Sequence, residues 1–261
     1  MFIIKLGGSV ITDKSKKNSF KKTVMDRLSS EIKKAKKEVI LIHGAGSYGH
    51  ILAKKHELDK GFKNINQIQG FANTHTSVKQ LNTLVLNSLQ EHDIPAVSIS
   101  PHSIMKLDDH KPVKMYYEIF DDYLKQGFTP VTFGDVVLDK KLGFSICSGD
   151  LLIQILAEQF KPEKTIFVID EDGLFTRNPK VDKRAELIET ITAEKLKNFN
   201  ITADKHADVT GGMKGKIDAI KNIVKNGVDT VLLNGNKPDR LYKVLIGKKT
   251  TCTEIYGVNK T

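Results

Sequence analysis

The sequence predicts an α/β protein, a three-layer αβα sandwich around a central, mainly parallel sheet. Two observations predict this class. Short apolar segments typical of buried strands alternate along the chain with longer segments typical of helices. The apolar segments are also nearly continuous, which indicates strands that are covered on both faces. Because no linker, internal repeat or low-complexity segment interrupts the pattern, residues 1–261 are expected to form a single domain with two lobes.

The predicted elements follow one another in a regular order. Strands are expected at residues 2–6, 39–42, 96–99, 130–138, 144–147, 165–169, 230–233 and 253–256. Helices are expected at residues 21–37, from Ile51 onward, and at 74–91, 117–126, 151–159, 215–226 and 239–246. The turn chemistry of residues 139–143 predicts a β-hairpin between the two strands that they join. The last strand is expected at an edge of the sheet.

Composition excludes several classes of protein. Hydrophobic residues make up 39% of the 261 residues, and no apolar run approaches the roughly 20 residues that cross a bilayer. The N-terminal segment places Lys5 inside its apolar run and lacks the layout of a signal peptide. Cys147 and Cys252 are isolated, without metal-ligand spacing, and are expected to pack in the core. We therefore expect a cytoplasmic protein with no membrane association.

The net charge of +10 is concentrated near the N-terminus. Residues 1–60 contain 14 Lys or Arg and six acidic residues, a net charge of +8. No nucleic-acid motif or interleaving of basic and aromatic residues accompanies this excess. The basic segment therefore favours attraction of small anionic substrates over nucleic-acid binding.

The segments that follow the predicted strands indicate where a ligand binds. Ligands of parallel α/β sheets gather at the carboxyl ends of the strands. In this chain those ends lead into polar segments, most of which contain glycine: Gly7-Gly8-Ser9, residues 43–50, Ser148-Gly149-Asp150, Asp170-Glu171-Asp172-Gly173 and Asn234-Gly235-Asn236. Their convergence predicts a site for an extended, polyphosphate-sized ligand.

The most informative of these segments is His-Gly-Ala-Gly-Ser-Tyr-Gly-His at residues 43–50. Backbone N–H groups of small residues between a strand and a helix can cradle an anion. His50, at its end, can donate to an oxyanion. Residues 44–49 also match G-x-G-x-x-G, but the acidic residue expected about 20 positions later is absent. Dinucleotide binding is therefore a minor alternative.

Several charged residues are candidates for chemistry. Lys5, at the end of a predicted strand, can act on phosphate oxygens or reach solvent. Lys216 follows Gly211 and Gly212 at a predicted helix start, which indicates a phosphate loop or a plain junction. Asp150 can bridge two lysines or cap its helix.

Other charged candidates have more than one interpretation. Asp170 and Asp172 can hold a nucleotide or metal, or stabilise the turn at Gly173. Lys14 lies in a basic loop, where a solvated lysine is the default.

Together these residues resemble the amino acid kinase superfamily and, within it, the archaeal-type isopentenyl phosphate kinase family. Lys5-Leu-Gly-Gly-Ser9, residues 170–179 and residues 208–216 resemble loops of the superfamily, whereas residues 43–50, Lys14 and residues 148–150 resemble the narrower family. The similarity runs nearly end to end. Tyr48 and Glu171 depart from the residues usual in the family, Phe and Val.

The resemblance implies ATP-dependent phosphorylation of isopentenyl phosphate, with Mg²⁺ and a homodimer. It implies catalytic roles for Lys5, Lys14, His50, Asp150 and Lys216. It implies ATP contacts from Lys5, Gly7, Gly8, Ser9, Gly46, Asp170, Gly212 and Lys216, and acceptor contacts from Ala45, Gly46, His50 and Gly149. No direct protein ligand for a metal is assigned. The lobe at about residues 1–160 is expected to bind the acceptor, and that at about 161–261 to bind ATP.

Two alternatives remain at this point. A kinase of the same fold could act on another small anion, such as a phosphonate antibiotic, a carboxylate or a nucleoside monophosphate. A regulatory protein could bind nucleotide without turnover. Retention of Lys5, Lys14, Asp150 and Lys216 disfavours the second alternative, because a binding protein needs no charge that stabilises a transition state.

Overall fold

A computed structural model describes residues 1–13, 15–199 and 212–258. Within them the strands are β1 Phe2–Leu6, β2 Val39–His43, β3 Ala96–Ser98, β4 Met105–Asp108, β5 Lys111–Met115, β6 Thr129–Phe133, β7 Asp135–Asp139, β8 Gly143–Cys147, β9 Lys164–Ile169, β10 Leu174–Phe175, β11 Leu187–Ile188, β12 Thr190–Thr192, β13 Asp229–Asn234 and β14 Thr253–Tyr256. The helices are α1 Gly8–Ile11, α2 Lys22–Ala35, α3 Gly46–Lys55, α4 Asn66–Gln90, α5 Pro101–Ile104, α6 Glu118–Lys125, α7 Gly149–Phe160, α8 Ala193–Lys197, α9 Gly212–Lys225 and α10 Arg240–Leu245.

The central sheet has eight strands in the order β12-β14-β13-β9-β1-β2-β6-β3. Its pairings are parallel except that between β13 and β14, which confirms the predicted mainly parallel sheet. The prediction that residues 253–256 form an edge strand is wrong, because the short strand β12 pairs with the outer side of β14. Strands from before residue 160 form one half of the sheet, and strands from after it form the other.

Both faces of the sheet are covered, so the three-layer arrangement is confirmed. Alternate residues of β1 point to opposite faces: Ile3 belongs to one buried cluster, and Ile4 to the other. Helices α7 and α9 cover the face of Ile3, whereas α2, α4 and α10 cover the face of Ile4. In the described part of the chain, no helix is both long enough and apolar enough to span a bilayer.

A second sheet, in the order β5-β4-β7-β8, lies beside the first. The predicted hairpin is confirmed, since β7 and β8 pair antiparallel from Asp135↔Cys147 to Asp139↔Gly143. The single strand predicted at residues 130–138 is wrong. It divides at Gly134 into β6 of the central sheet and β7 of the second sheet, because the chain changes sheets there.

Helices α3 and α4 begin at least five residues earlier than the sequence predicts. Helix α3 starts at Gly46 instead of Ile51, so most of the glycine-rich motif is helical. Helix α4 starts at Asn66 instead of residue 74. Gly49 explains part of the first difference, because a Cβ there would lie 2.9 Å from Cγ2 of Val78. The close packing of α3 on α4 therefore stabilises a helix that local propensity disfavours.

Candidate active site

A cleft of about 1210 Å³ opens at the carboxyl ends of β1, β2 and β9. The predicted site residues that line it are Lys5, Gly7, Gly8, Ser9, Ala45, His50, Gly149, Asp150, Asp170, Gly212 and Lys216. Lys14 and Gly211 lie outside the described residues. Gly46 is buried behind the lining, against Gly8 and Thr12. The strand exit at residues 234–236 does not line the cleft, contrary to expectation.

The cleft is centred on one carboxylate and two ammonium groups. Nζ of Lys5 lies 2.5 Å from Oδ1 of Asp150, and Nζ of Lys216 lies 3.5 Å from the same oxygen. Both nitrogens also lie 5.8 Å from the ring centroid of Phe167. Ser148 caps α7 by accepting from the Leu151 N–H, so the Asp150 side chain is not needed as a cap. Of its two predicted roles, the structure supports the bridge between lysines.

Burial and charge shift both pKa values of this pair. Burial is the largest influence on Lys5 and, with the charge of Lys216, lowers its pKa to about 8 against the attraction of Asp150. Burial acts to raise the pKa of Asp150, but the charges of Lys216 and Lys5 outweigh it and lower that pKa. The carboxylate is therefore ionised at neutral pH, and Lys5 remains mostly protonated.

Two glycine loops approach each other closely at the floor of the cleft. A Cβ on Gly8 would lie 2.7 Å from Cα of Gly46, and one on Gly44 would lie 2.9 Å from the Gly8 nitrogen. Gly46 also has a φ of +51°, which side-chain-bearing residues rarely adopt. Thr12 joins the loops, because its Oγ1 donates to the Gly8 carbonyl and accepts from the Ser47 N–H. The exits of β1 and β2 are thus held together by backbone contact.

The two histidines of the motif at residues 43–50 have different environments. His43 is fully buried and stacks on Phe133, with ring centroids 5.3 Å apart. Its Nδ1 lies 3.1 Å from the Gly44 carbonyl, and Nδ2 of Asn82 lies 3.1 Å from its Nε2. Burial lowers the pKa of His43 to about 4, so it is a neutral core residue. His50 instead lies on α3 at the cleft, where its ring can meet a ligand.

The opposite end of the cleft contains the acidic turn after β9. Asp170 accepts from Oγ of Ser9 at 3.0 Å and pairs with Lys180 at 3.3 Å. Although burial acts to raise the pKa of Asp170, the charge of Lys180 and the Ser9 hydrogen bond lower it. Asp172 accepts from Asn234 and Arg240, and it does not line the cleft. Of the interpretations open for Asp172, the structure therefore supports stabilisation of the turn.

Several lining residues were not predicted individually. An apolar wall consists of Ala53, Thr74, Val78, Val136 and Ile146. Helices α3 and α4 provide the first three, and the β7–β8 hairpin provides the other two. The spacing of Thr74 and Val78, one helical turn apart, is a signal that could have identified the α4 face. At the acidic end, residues 174–181 and Met213 complete the lining.

The arrangement can hold two anions side by side. Lysines meet at the centre, the start of α3 with His50 lies at one end, and Ser9 with Asp170 lies at the other. The apolar wall lies beside the first end and fits an uncharged tail.

Comparison with known proteins agrees with this geometry. A sequence model of the Amino acid kinase family matches residues 1–234. The isopentenyl phosphate kinase of Methanothermobacter thermautotrophicus is 36% identical over 266 residues, covering 98% of this chain and 99% of the relative.

Solved structures are also similar over nearly the full length. An isopentenyl phosphate kinase structure superposes with a TM-score of 0.86 at 33% identity, covering 98% of this chain and all of the other. The product complex of the Thermoplasma acidophilum isopentenyl phosphate kinase gives 0.82 at 27% identity, covering 98% and 99% of the two chains. This chain belongs to the amino acid kinase family and, within it, to the isopentenyl phosphate kinases.

Proposed function

We propose that this protein transfers the γ-phosphoryl group of ATP to isopentenyl phosphate, producing isopentenyl diphosphate and ADP. The observation that carries the proposal is the convergence of Lys5, Asp150 and Lys216 between an anion loop with an apolar wall and a second, acidic loop. The similarity to isopentenyl phosphate kinases supports the choice of acceptor. Among the described residues that line the cleft, none favours one of the other acceptors.

The transfer needs little covalent help from the protein. An oxygen of the acceptor phosphate attacks the γ-phosphorus, and the bond between that phosphorus and the oxygen of ADP breaks. A phosphate monoester has a second pKa of about 6, so the nucleophile is already ionised at neutral pH and needs no general base. The main obstacle is repulsion between two anions, which positive charge and fixed donors reduce.

Lys5 and Lys216 are proposed to stabilise the transferring phosphoryl group. One carboxylate partner for two cations, the buried Lys5 and the partly buried Lys216, leaves a net positive charge at the centre of the cleft. Asp150 positions both ammonium groups, and Gly149 allows this because a Cβ there would lie 2.9 Å from Cε of Lys5. Lys14 is proposed to assist on the same charge, and this assignment rests on the resemblance alone.

The acceptor phosphate is proposed to lie at the start of α3 and α7. His50 and the backbone of Ala45 and Gly149 would hold it, helped by the positive ends of the two helix dipoles, whereas the predicted contact of Gly46 is replaced by its packing behind the lining. The five-carbon tail would then pack on the apolar wall. Each CH₂ removed from water contributes about 0.8 kcal/mol, so this wall favours a prenyl acceptor over an inorganic or strongly polar one.

ATP is proposed to bind along the exits of β1 and β9. Gly7, Gly8, Ser9, Gly46 and Gly212 would approach the phosphates, and Asp170 would approach the nucleoside. Gly46 would act largely through the close loop packing that its missing Cβ permits. The division of the chain into an acceptor lobe at about residues 1–160 and an ATP lobe at about 161–261 stays a prediction, and Gly7, Gly8 and Ser9 of the first lobe would also approach ATP.

Mg²⁺ is proposed to bind together with ATP. Among the described carboxylates of the nucleotide end, Asp170 and Glu171 are already paired with Lys180, and Asp150 is paired with two lysines. Mg²⁺ is commonly held by substrate phosphates and water with few protein ligands. This donor set therefore fits an ion that the ATP phosphates hold. From the resemblance we also propose a cytoplasmic homodimer.

One assay tests the function directly. ADP release would be measured in parallel with isopentenyl phosphate, dimethylallyl phosphate, fosfomycin, uridine monophosphate and amino acids as acceptors. We expect the highest kcat/KM with isopentenyl phosphate. His50→Ala should lower kcat/KM for this acceptor. The control His110→Asn should not, because His110 is exposed, and asparagine tolerates the positive φ of this position. Normal turnover by His50→Ala would contradict the acceptor site, and absence of ADP release with every acceptor would favour a binding protein.

A further inference from the structure

A second group of ligating side chains lies beside the acceptor end of the cleft and has no part in the proposed transfer. His75 lies in the middle of α4, His102 lies in α5, and Asp135 is the first residue of β7. One ligating atom from each lies within 4.8 Å of the others. Three elements that are separate in the sequence therefore bring two imidazoles and one carboxylate to a common point.

The carboxylate is the buried centre of this group. The Asp135 side chain has 0% exposure, and its Oδ1 accepts from the Val136 N–H at 2.8 Å. Its Oδ2 lies 2.7 Å from Nδ1 of His75 and 3.8 Å from Nδ1 of His102. The two rings meet edge-on with centroids 4.0 Å apart. Two imidazole nitrogens thus face the same oxygen of a buried carboxylate, whose residue borders the cleft.

This donor set suits a borderline divalent metal ion. Imidazole nitrogen and carboxylate oxygen are common ligands of Zn²⁺, whereas Mg²⁺ and Ca²⁺ prefer oxygen alone. Ligands of a tetrahedral Zn²⁺ at about 2.0–2.1 Å from the ion lie about 3.4 Å apart. The distances from Oδ2 of Asp135 to Nδ1 of His75 and Nδ1 of His102, 2.7 and 3.8 Å, lie on either side of that value. The His75 and His102 side chains are 19% and 33% exposed, which provides access and room for a water ligand.

We propose that His75, His102 and Asp135 bind one divalent ion of the Zn²⁺ class. Ser103 Oγ, 3.2 Å from Nε2 of His102, would orient that ring from behind, as outer partners of metal ligands do. The hydrogen bond of Ser100 to Nδ1 of His102 is replaced on binding.

The ion would connect α4, α5 and β7. Because Gly134, next to Asp135, packs against Gly149 and near Ala45, it would also stiffen the wall behind the acceptor end. The proposal does not depend on which acceptor the protein phosphorylates.

Metal binding can be measured without any enzyme assay. The chelator-treated protein would be titrated with ZnCl₂ in excess Mg²⁺ by calorimetry, and with CoCl₂ by visible absorption. We expect one ion per chain, Co²⁺ bands typical of tetrahedral coordination, and a rise in Tm with Zn²⁺ concentration. The proposal would be overturned if the wild-type protein takes up no Zn²⁺, or if Mg²⁺ displaces the bound Zn²⁺.

Variants locate the ion. His102→Ala removes a partly exposed ligand and should weaken Zn²⁺ binding more than about tenfold while the protein stays folded by circular dichroism. His102→Cys keeps a suitable ligand and should retain binding. His110→Asn, which removes an exposed histidine outside the group, should bind as the wild type does. Undiminished Zn²⁺ binding by His102→Ala would place the ion elsewhere and overturn the assignment.

Discussion

Nζ of Lys5 lies 2.5 Å from Oδ1 of Asp150, although 145 residues separate the two in the chain. The same oxygen is 3.5 Å from Nζ of Lys216. A shared carboxylate holds a buried and a partly buried ammonium group close together, where their charges would otherwise repel. In the proposed transfer, this places positive charge where the phosphoryl group would pass and gives Asp150 a positioning role.

Asp150→Asn should reduce turnover much more than stability. An amide cannot neutralise Lys5 and Lys216, so repulsion would separate them and further lower the pKa of Lys5. We expect kcat with ATP and isopentenyl phosphate to fall by about 100-fold, comparable to the loss of one donor that stabilises a transition state. Steady-state kinetics would measure this, with circular dichroism to verify folding.

Asp172→Asn is the matched control. Asp172 is also paired with a cation, Arg240, but it lies outside the cleft lining. This variant should lower Tm and leave kcat close to that of the wild type. Equal losses of kcat in the two variants would contradict the positioning role of Asp150.

The pH dependence of kcat/KM should report Lys5. Its pKa is lowered to about 8, and the protonated form is the one that stabilises phosphoryl transfer. Because kcat/KM reflects the free enzyme, it should fall above pH 8 by about tenfold per pH unit. Lys5→Arg should be slower but lack this decline, since arginine stays protonated. A wild-type profile that stays flat to about pH 10 would contradict this assignment.

Ile146→Ala should weaken the apolar wall selectively. The substitution removes three carbon atoms beside the proposed tail site, a loss of at most about 2 kcal/mol, or about 30-fold in kcat/KM for isopentenyl phosphate. Methyl phosphate, which has no such tail, is the comparison acceptor and should be affected little. The KM for ATP should also stay unchanged. An equal loss with both acceptors would show that Ile146 does not contact the tail.

His43 should make the protein less stable in mild acid. Its pKa is about 4 in the folded protein and about 6.5 when unfolded, so the unfolded chain binds the extra proton between these values. The free energy of unfolding should therefore fall as pH decreases from 6.5 towards 4, by about 3 kcal/mol for this residue. Urea unfolding across this range would measure it, with His43→Gln as the comparison. Parallel pH profiles for the two proteins would contradict the expectation.

Local pattern was enough to predict much of the fold. The bounds of β1 and β14 agree with the predictions, and β2 and β9 differ by one residue. For β1, β2 and β9 the reason is that their side chains form short, mainly apolar, mostly buried runs. The start of α3 could not be predicted, since residues 43–50 resemble a loop and only packing on α4 makes them helical. The division of the predicted strand at Gly134 could not be predicted either, because β6 and β7 together form one continuous strand-like segment in the sequence.

Residue order alone was enough to assign the residue types at the strand exits: a lysine before two glycines, a histidine after a small-residue motif, and an aspartate after Ser-Gly. It also determined the family. The tertiary structure decided which side chains meet: Asp150 with Lys5 and Lys216, Asp172 with Arg240, and His75 with His102 and Asp135. The physical reason is that periodicity reports burial over a few helical turns, whereas distances between strand exits depend on strand order and on backbone contacts such as Gly8 with Gly46.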